Sequence, residues 1–158
     1  MTTQPSPIYY GIIEPKTLMS MSGMEALQAI IAGKLPAPPI ARTLNYGLVE
    51  AEPGRAVFAG VPSTDHYNPL SCVHGGYIAT LLDSAMGCAV HTKLAAGQGY
   101  TTLEFKVNFV RPVLETTGEV RAIGTIVHFG KRSATAEAKL VDAAGKVYAH
   151  ATTTCLIF

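Results

Sequence analysis

The order of two apolar patterns constrains the fold most. One long apolar run, Gly75 to Ala96, is followed only by alternating segments joined through short polar turns. Within the run, Ile78, Leu81, Leu82, Ala85, Met86 and Ala89 recur at helical spacing and share one broad face. After it, Leu103, Phe105, Val107 and Phe109 alternate with Glu104, Lys106 and Asn108, the period of a half-buried strand. Further strands are predicted over Glu119–Phe129, Ser133–Val141 and Lys146–Leu156, linked by Gly130-Lys131-Arg132 and Asp142-Ala143-Ala144-Gly145. Turns this short leave no room for crossover helices, so the sheet is expected to be antiparallel, with the helix on one face. The class is α+β.

Upstream, Ser22-Gly23-Met24-Glu25 has the pattern of a capping box and opens a short helix with Met24, Leu27, Ile30 and Ile31 in phase. Pro36, Pro38 and Pro39 stop it. The first twenty residues, with Pro5, Pro7 and Pro15 and no sustained period, are predicted to be an irregular arm. Thr43–Glu52 and Arg55–Ala59, joined by Pro53-Gly54, form a predicted pair of strands. Residues 1–40 are thus read as an arm with a short helix, and 41–158 as the main domain.

Charge excludes some partners and suggests another. With 12 Lys+Arg against 11 Asp+Glu the net charge is +1, so neither nucleic acid nor an acidic membrane surface is an expected partner. Charged residues are only 15% of the chain, against about a quarter in an average domain. A short chain has proportionally much surface, and one this poor in charge is expected to bury part of it against copies of itself. Cys72, Cys88 and Cys155 are widely spaced and odd in number, which fits a reducing compartment. The N-terminus lacks the pattern of a secretion signal, and the expected location is the cytoplasm.

Chemistry is concentrated between Asn68 and Asp83, in the run NPLSCVHGGYIATLLD. A Gly pair opening a helix leaves backbone N–H groups uncovered, at the end of the helix that attracts negative charge. Asp83 lies off the apolar face, among Gly76, Ala79, Thr80 and Gly87, a strip of small side chains that lets a ligand or another backbone come close. Each residue also has a plainer reading. Asp83 as an exposed helix residue, His74 as a structural hydrogen bonder and Asn68 before Pro69 as turn chemistry all fit the pattern. A lone His gives no metal site, Cys72 has no adjacent base, and Gly130-Lys131-Arg132 is either a charged turn or a phosphate contact.

Taken together, Asn68, His74-Gly75-Gly76 and Asp83, on a helix that precedes four strands, resemble the hotdog-fold thioesterases of the phenylacetate-degradation (PaaI) type. Tyr100 to Pro112 is similar to that family's strand after the helix, and Gly130 to Glu137 to its following turn and strand. The resemblance implies a long central helix wrapped by a curved antiparallel sheet of about five to six strands. It also implies a homodimer, often assembling to a homotetramer, with the site at the dimer interface. The implied activity is hydrolysis of an acyl-CoA thioester, with aryl and phenylacetyl types among the acyl groups left open, without metal or added cofactor and with coenzyme A as part of the substrate.

The implied roles go residue by residue. Asp83 is the base or nucleophile, and the Gly75 N–H polarises the thioester carbonyl. Asn68 holds the water or the acyl group, His74 orients the loop, and Thr102, with Thr101 as the alternative, places the water. Val110, Arg111, Lys131, Arg132 and Ser133 match the path of coenzyme A. Ser71 departs from the family, which commonly has Gly there, and a positive φ at that position would strain it. A hotdog hydratase or dehydratase is the second reading, disfavoured because the residue five after Asp83 is Cys88 and not a His. A non-catalytic acyl-CoA binding module is the third.

Overall fold

A computed structural model describes residues 8–158. In chain order the elements are α1 (Pro15–Met19), α2 (Gly23–Ile31), α3 (Pro39–Thr43), β1 (Tyr46–Glu52), β2 (Arg55–Gly60), α4 (Gly75–His91), β3 (Tyr100–Phe109), β4 (Val120–Phe129), β5 (Ser133–Asp142) and β6 (Val147–Ile157). The six strands form one antiparallel sheet in the order β1-β2-β4-β5-β6-β3, and α4 lies across its inner face.

The helix seats closely because the sheet beneath it is paved with small residues. Ala122, Ala134, Ala136, Ala138, Ala149 and Ala151 are buried against Ile78, Leu81, Leu82, Ala85 and Met86. Gly124 of β4 sits directly under the α4 backbone, where a Cβ would overlap the Ala85 carbonyl. Large helix residues on a floor of alanines interdigitate at the density of a protein interior.

At four places the structure differs by more than a residue or in register from the sequence reading. Within the arm, Pro15–Met19 is a short helix with Pro in its first turn, a position where the missing N–H costs nothing; Pro5 and Pro7 lie outside the described residues. β1 begins at Tyr46 and not at Thr43, since α3 and a left-handed Asn45 (φ 49°) come first, and the boundary drawn at residue 41 falls inside α3. α4 ends at His91 and does not run on to Ala96: the buried Thr92 hydroxyl turns back to the Ala89 carbonyl and accepts the Gly54 N–H at 2.8 Å. The capping box at Ser22 and Glu25 forms as read.

The fourth difference is in β3, where strict alternation fails. Its register against β6 slips between Thr102 and Glu104, which makes Leu103 a bulge. A bulge moves every residue before it to the other face. Thr102 therefore joins Phe105, Val107 and Phe109 on the side of α4. β3 is also an edge strand, and Leu103, Phe105 and Phe109 are exposed on it.

Candidate active site

The loop before α4 is held at several points. Asn68 Oδ1 accepts the Leu70 N–H at 2.8 Å, its backbone N–H donates to the Cys72 carbonyl at 2.8 Å, and its Nδ2 reaches Cys72 Sγ at 3.3 Å. Val73 N–H donates to the Val113 carbonyl and His74 N–H to the His66 carbonyl, at 2.9 and 2.8 Å. Ser71 sits at φ 62°, the left-handed conformation that the substitution of a common Gly had put in question. Asn68 is thus first a loop-former, with one amide hydrogen left over to meet a ligand.

His74 is the N-cap of α4. Its Nδ1 accepts the Gly76 N–H at 2.8 Å, and its carbonyl takes the Tyr77 N–H at 3.0 Å. The first N–H groups of a helix have no partner within it, and with Gly76 and Tyr77 served by His74 the Gly75 N–H is the one left to face a ligand. It faces a cavity of about 450 Å³ lined by Asn68, Cys72, Ile78, Phe109, Val110 and Arg111. The edge of the Phe109 ring lies only 3.0 Å from where a Cβ on Gly75 would stand, so that ring forms the near wall.

Asp83 is in a different cavity. It is half-buried at the edge of a chamber of about 270 Å³, and its Oδ1 accepts a hydrogen bond from Thr102 Oγ1 at 3.1 Å. The bulge at Leu103 makes that contact possible, and Thr101 is exposed instead. Leu27, Ile30, Ile40, Leu48 and Phe58 give the chamber apolar walls. Its other polar groups are Cys88, Tyr100 and a Tyr46 Oη–Ser84 Oγ pair at 3.2 Å. Burial pushes the Cys88 thiol up to about 12, with the Asp83 charge adding to the effect. Burial likewise raises Tyr46 and, strongly, Tyr100. Asp83 thus faces groups that keep their protons at neutral pH.

Sequence reading missed Tyr46, Ser84 and Tyr100, since a chamber assembled from α2, β1, α4 and β3 has no linear signature. The strip of small residues is also less open than its composition suggests: Tyr100 covers Gly87, which is buried. Among the described residues no group of three His, Cys, Asp or Glu stands close enough to hold a metal, and no helix is long and apolar enough to cross a membrane.

One protomer does not unite the predicted site. Gly75 and Asp83 are eight residues apart on α4, about 12 Å along its axis, so no single carbonyl touches both within one chain. The predicted coenzyme A residues are divided in the same way. Val110 and Arg111 bond the Tyr148 carbonyl at the start of β6, while Arg132 accepts from Ile157 at its far end. At ~3.3 Å per residue these ends are about 30 Å apart, with Lys131 and Ser133 beside Arg132. All five residues are individually accessible; they do not line one path in one protomer.

Comparison with known proteins agrees with this architecture. The thioesterase superfamily model matches residues 70–149, from the loop before α4 into β6. A putative thioesterase from Ralstonia eutropha, described as phenylacetic acid degradation-related, superposes with a TM-score of 0.74 at 26% identity, covering 82% of this chain and 98% of its own. A mutant of the phenylacetic acid degradation protein PaaI from Thermus thermophilus gives 0.67 at 30% identity, covering 75% and 97%. The PaaI protein of E. coli has the same fold, with a TM-score of 0.67 at 21% identity, covering 75% and 83%. No curated protein sequence matches the chain. An antiparallel sheet wrapped on one long helix, a helix-opening Gly75 and a carboxylate two turns on are thus found in a chain that belongs to the thioesterase superfamily and has a PaaI-like hotdog fold.

Proposed function

We propose that the protein hydrolyses acyl-CoA thioesters at a site shared by two copies of the chain. The observation that carries this is the half-buried Asp83, held by Thr102 at the mouth of an apolar chamber and about 12 Å along α4 from the Gly75 N–H. The edge strand β3 supplies the geometry. Thr102, beside Asp83, is near its start, and Phe109, beside Gly75, is at its end. Antiparallel pairing of β3 with its copy sets the start of one strand against the end of the other, and Asp83 then meets Gly75 of the partner subunit. The same operation brings Arg111 towards Lys131, Arg132 and Ser133 of the partner subunit, on one coenzyme A path. The exposed Leu103, Phe105 and Phe109 support pairing, because a long apolar edge strand in water invites another strand. Assembly to a homotetramer is a further part of this proposal; the site itself needs only the pair.

In this reading the thioester carbonyl accepts the Gly75 N–H, at the helix end where developing negative charge is stabilised. The Asp83 carboxylate, oriented by Thr102, either takes a proton from the attacking water or attacks the carbonyl carbon itself. Asn68, with one amide hydrogen to spare, holds the acyl oxygen or the water. His74 acts through Gly75 by capping the helix. Coenzyme A leaves as its thiol, and the reaction needs no metal or added cofactor.

Thiol release from a panel of acyl-CoAs tests this. Wild type is expected to release thiol and Asp83→Asn to lose at least about a hundredfold in kcat, the scale of a general base. An Asp83→Asn protein as fast as wild type overturns the mechanism. Hydrolysis by a protein that sediments as a monomer overturns the two-chain site. Hydration of an enoyl-CoA without thiol release would favour a hydratase.

A further inference from the structure

The chamber in front of Asp83 owes its outer wall to the N-terminal extension, which lies outside the matched segment 70–149. Leu27 and Ile30 of α2, with Pro38 and Ile40, close it opposite Leu48, Phe58 and Asp83. Ile30 also borders two more hollows. One of about 370 Å³ lies between the extension and the C-terminal part of α4, reaching Leu18 and His91. Another of about 240 Å³ lies against β1 and β2, reaching Ile31 and Val61. A single side chain thus stands where three hollows meet.

This wall is fixed in place. Gly23 N–H donates to the Leu94 carbonyl at 3.0 Å and Gly97 N–H to the Met19 carbonyl at 2.8 Å. A Cβ on Gly23 would overlap the His91 carbonyl, so the start of α2 rests directly on the end of α4. With α2 pinned, Ile30 is held at the border of all three hollows, beside Leu27, Pro38 and Tyr100, which the chamber shares with the second, and Ala37 and Leu48, which it shares with the third. Charge narrows the class of tail that fits. No Lys or Arg lines any of the three; their charged side chains are Asp83 and Glu119, both acidic. A tail ending in a carboxylate finds no counter-ion there. A water occupies ~30 Å³ in the liquid and a methylene group is of similar size, so the 270 Å³ chamber is on the scale of a medium-length chain.

We propose that Ile30 determines acyl specificity, admitting an uncharged, medium-length acyl group to the Asp83 chamber and barring longer chains from the two hollows behind it. This rests on the thioesterase reading. It is tested with straight-chain acyl-CoAs from butyryl to palmitoyl on wild type, Ile30→Ala and Ile30→Trp. Ile30→Ala is expected to raise kcat/KM for palmitoyl over octanoyl by roughly tenfold or more, the discrimination of one or two apolar groups in a pocket. Ile30→Trp is expected to move the optimum to shorter chains. An unchanged length profile in both folded variants overturns the proposal while leaving the thioesterase reading intact. The chain has no Trp, so the indole of Ile30→Trp is also a direct probe of binding. If wild type hydrolyses nothing, a fluorescence change of that indole on titration with hexanoyl-CoA, short enough for the narrowed chamber, supports the apolar-tail pocket alone, and no change overturns it as well.

Discussion

Ser71→Gly is expected to stabilise the fold. Ser71 occupies the left-handed region at φ 62°, where its Cβ crowds the following carbonyl at a cost of ~1–2 kcal/mol. Glycine removes that cost and brings back ~0.4–1 kcal/mol through the greater freedom of the unfolded chain. The difference is a gain of about 0.5–1 kcal/mol, roughly 1–4 °C in Tm for a chain of this size. Little offsets it. Ser71 is exposed and contributes its backbone N–H to the Asn68 carbonyl at 3.3 Å, a bond that glycine keeps. Urea unfolding at fixed protomer concentration is the assay, since association shifts apparent stability. Ser71→Val is the control: a β-branched residue is still less suited to positive φ and should lower stability by about 1 kcal/mol or more. Thiol release by Ser71→Gly should stay near wild type, since the loop geometry is unchanged. A lower urea midpoint for Ser71→Gly, or an unchanged one for Ser71→Val, refutes the reasoning.

Two further outcomes follow from the chamber. Thr102→Val keeps the shape of Thr102 and removes its bond to Asp83; a hydrogen bond to a charged group contributes ~1.5–3 kcal/mol to stability, so the urea midpoint should fall, and kcat should fall with it as the carboxylate loses its fixed position. An equal kcat shows that Thr102 does not position the carboxylate. Stability should also fall in alkali. Burial raises Cys88 from 9.0 and Tyr77 from 10.0, both to about 12. The unfolded chain therefore gives up these protons first, so the stabilisation is complete below pH 9.0 and is lost as pH climbs through about 12. Urea midpoints measured across this range should drop for wild type, and less steeply for Cys88→Ala, by up to ~1.4 kcal/mol per pH unit for one proton. Parallel slopes would show that Cys88 stays accessible to solvent.

The sequence by itself determined the class and the order of the elements. A 3.6-residue period over Ile78 to Ala89, followed by period two with short polar turns, leaves only an antiparallel sheet with a helix on one face. It also pointed to the chemistry-bearing segment, because Asn68, His74, Gly75 and Asp83 sit within one short run. Ser71 was marked only by the resemblance, which commonly has Gly at that position, and the structure then gave its positive φ. The tertiary structure decided everything that depends on register and on surfaces meeting. Alternation from Leu103 to Phe109 places Thr102 with the outward residues, and only the bulge at Leu103 turns it to Asp83. A bulge comes from the fit of one strand to its neighbour, so β3 alone does not reveal it. The chamber joins residues from Leu27 to Thr102, and its wall exists because α2 docks on the end of α4. The 12 Å between Gly75 and Asp83, plain from the helical rise once both are placed on α4, is what makes one chain supply only half of the proposed site.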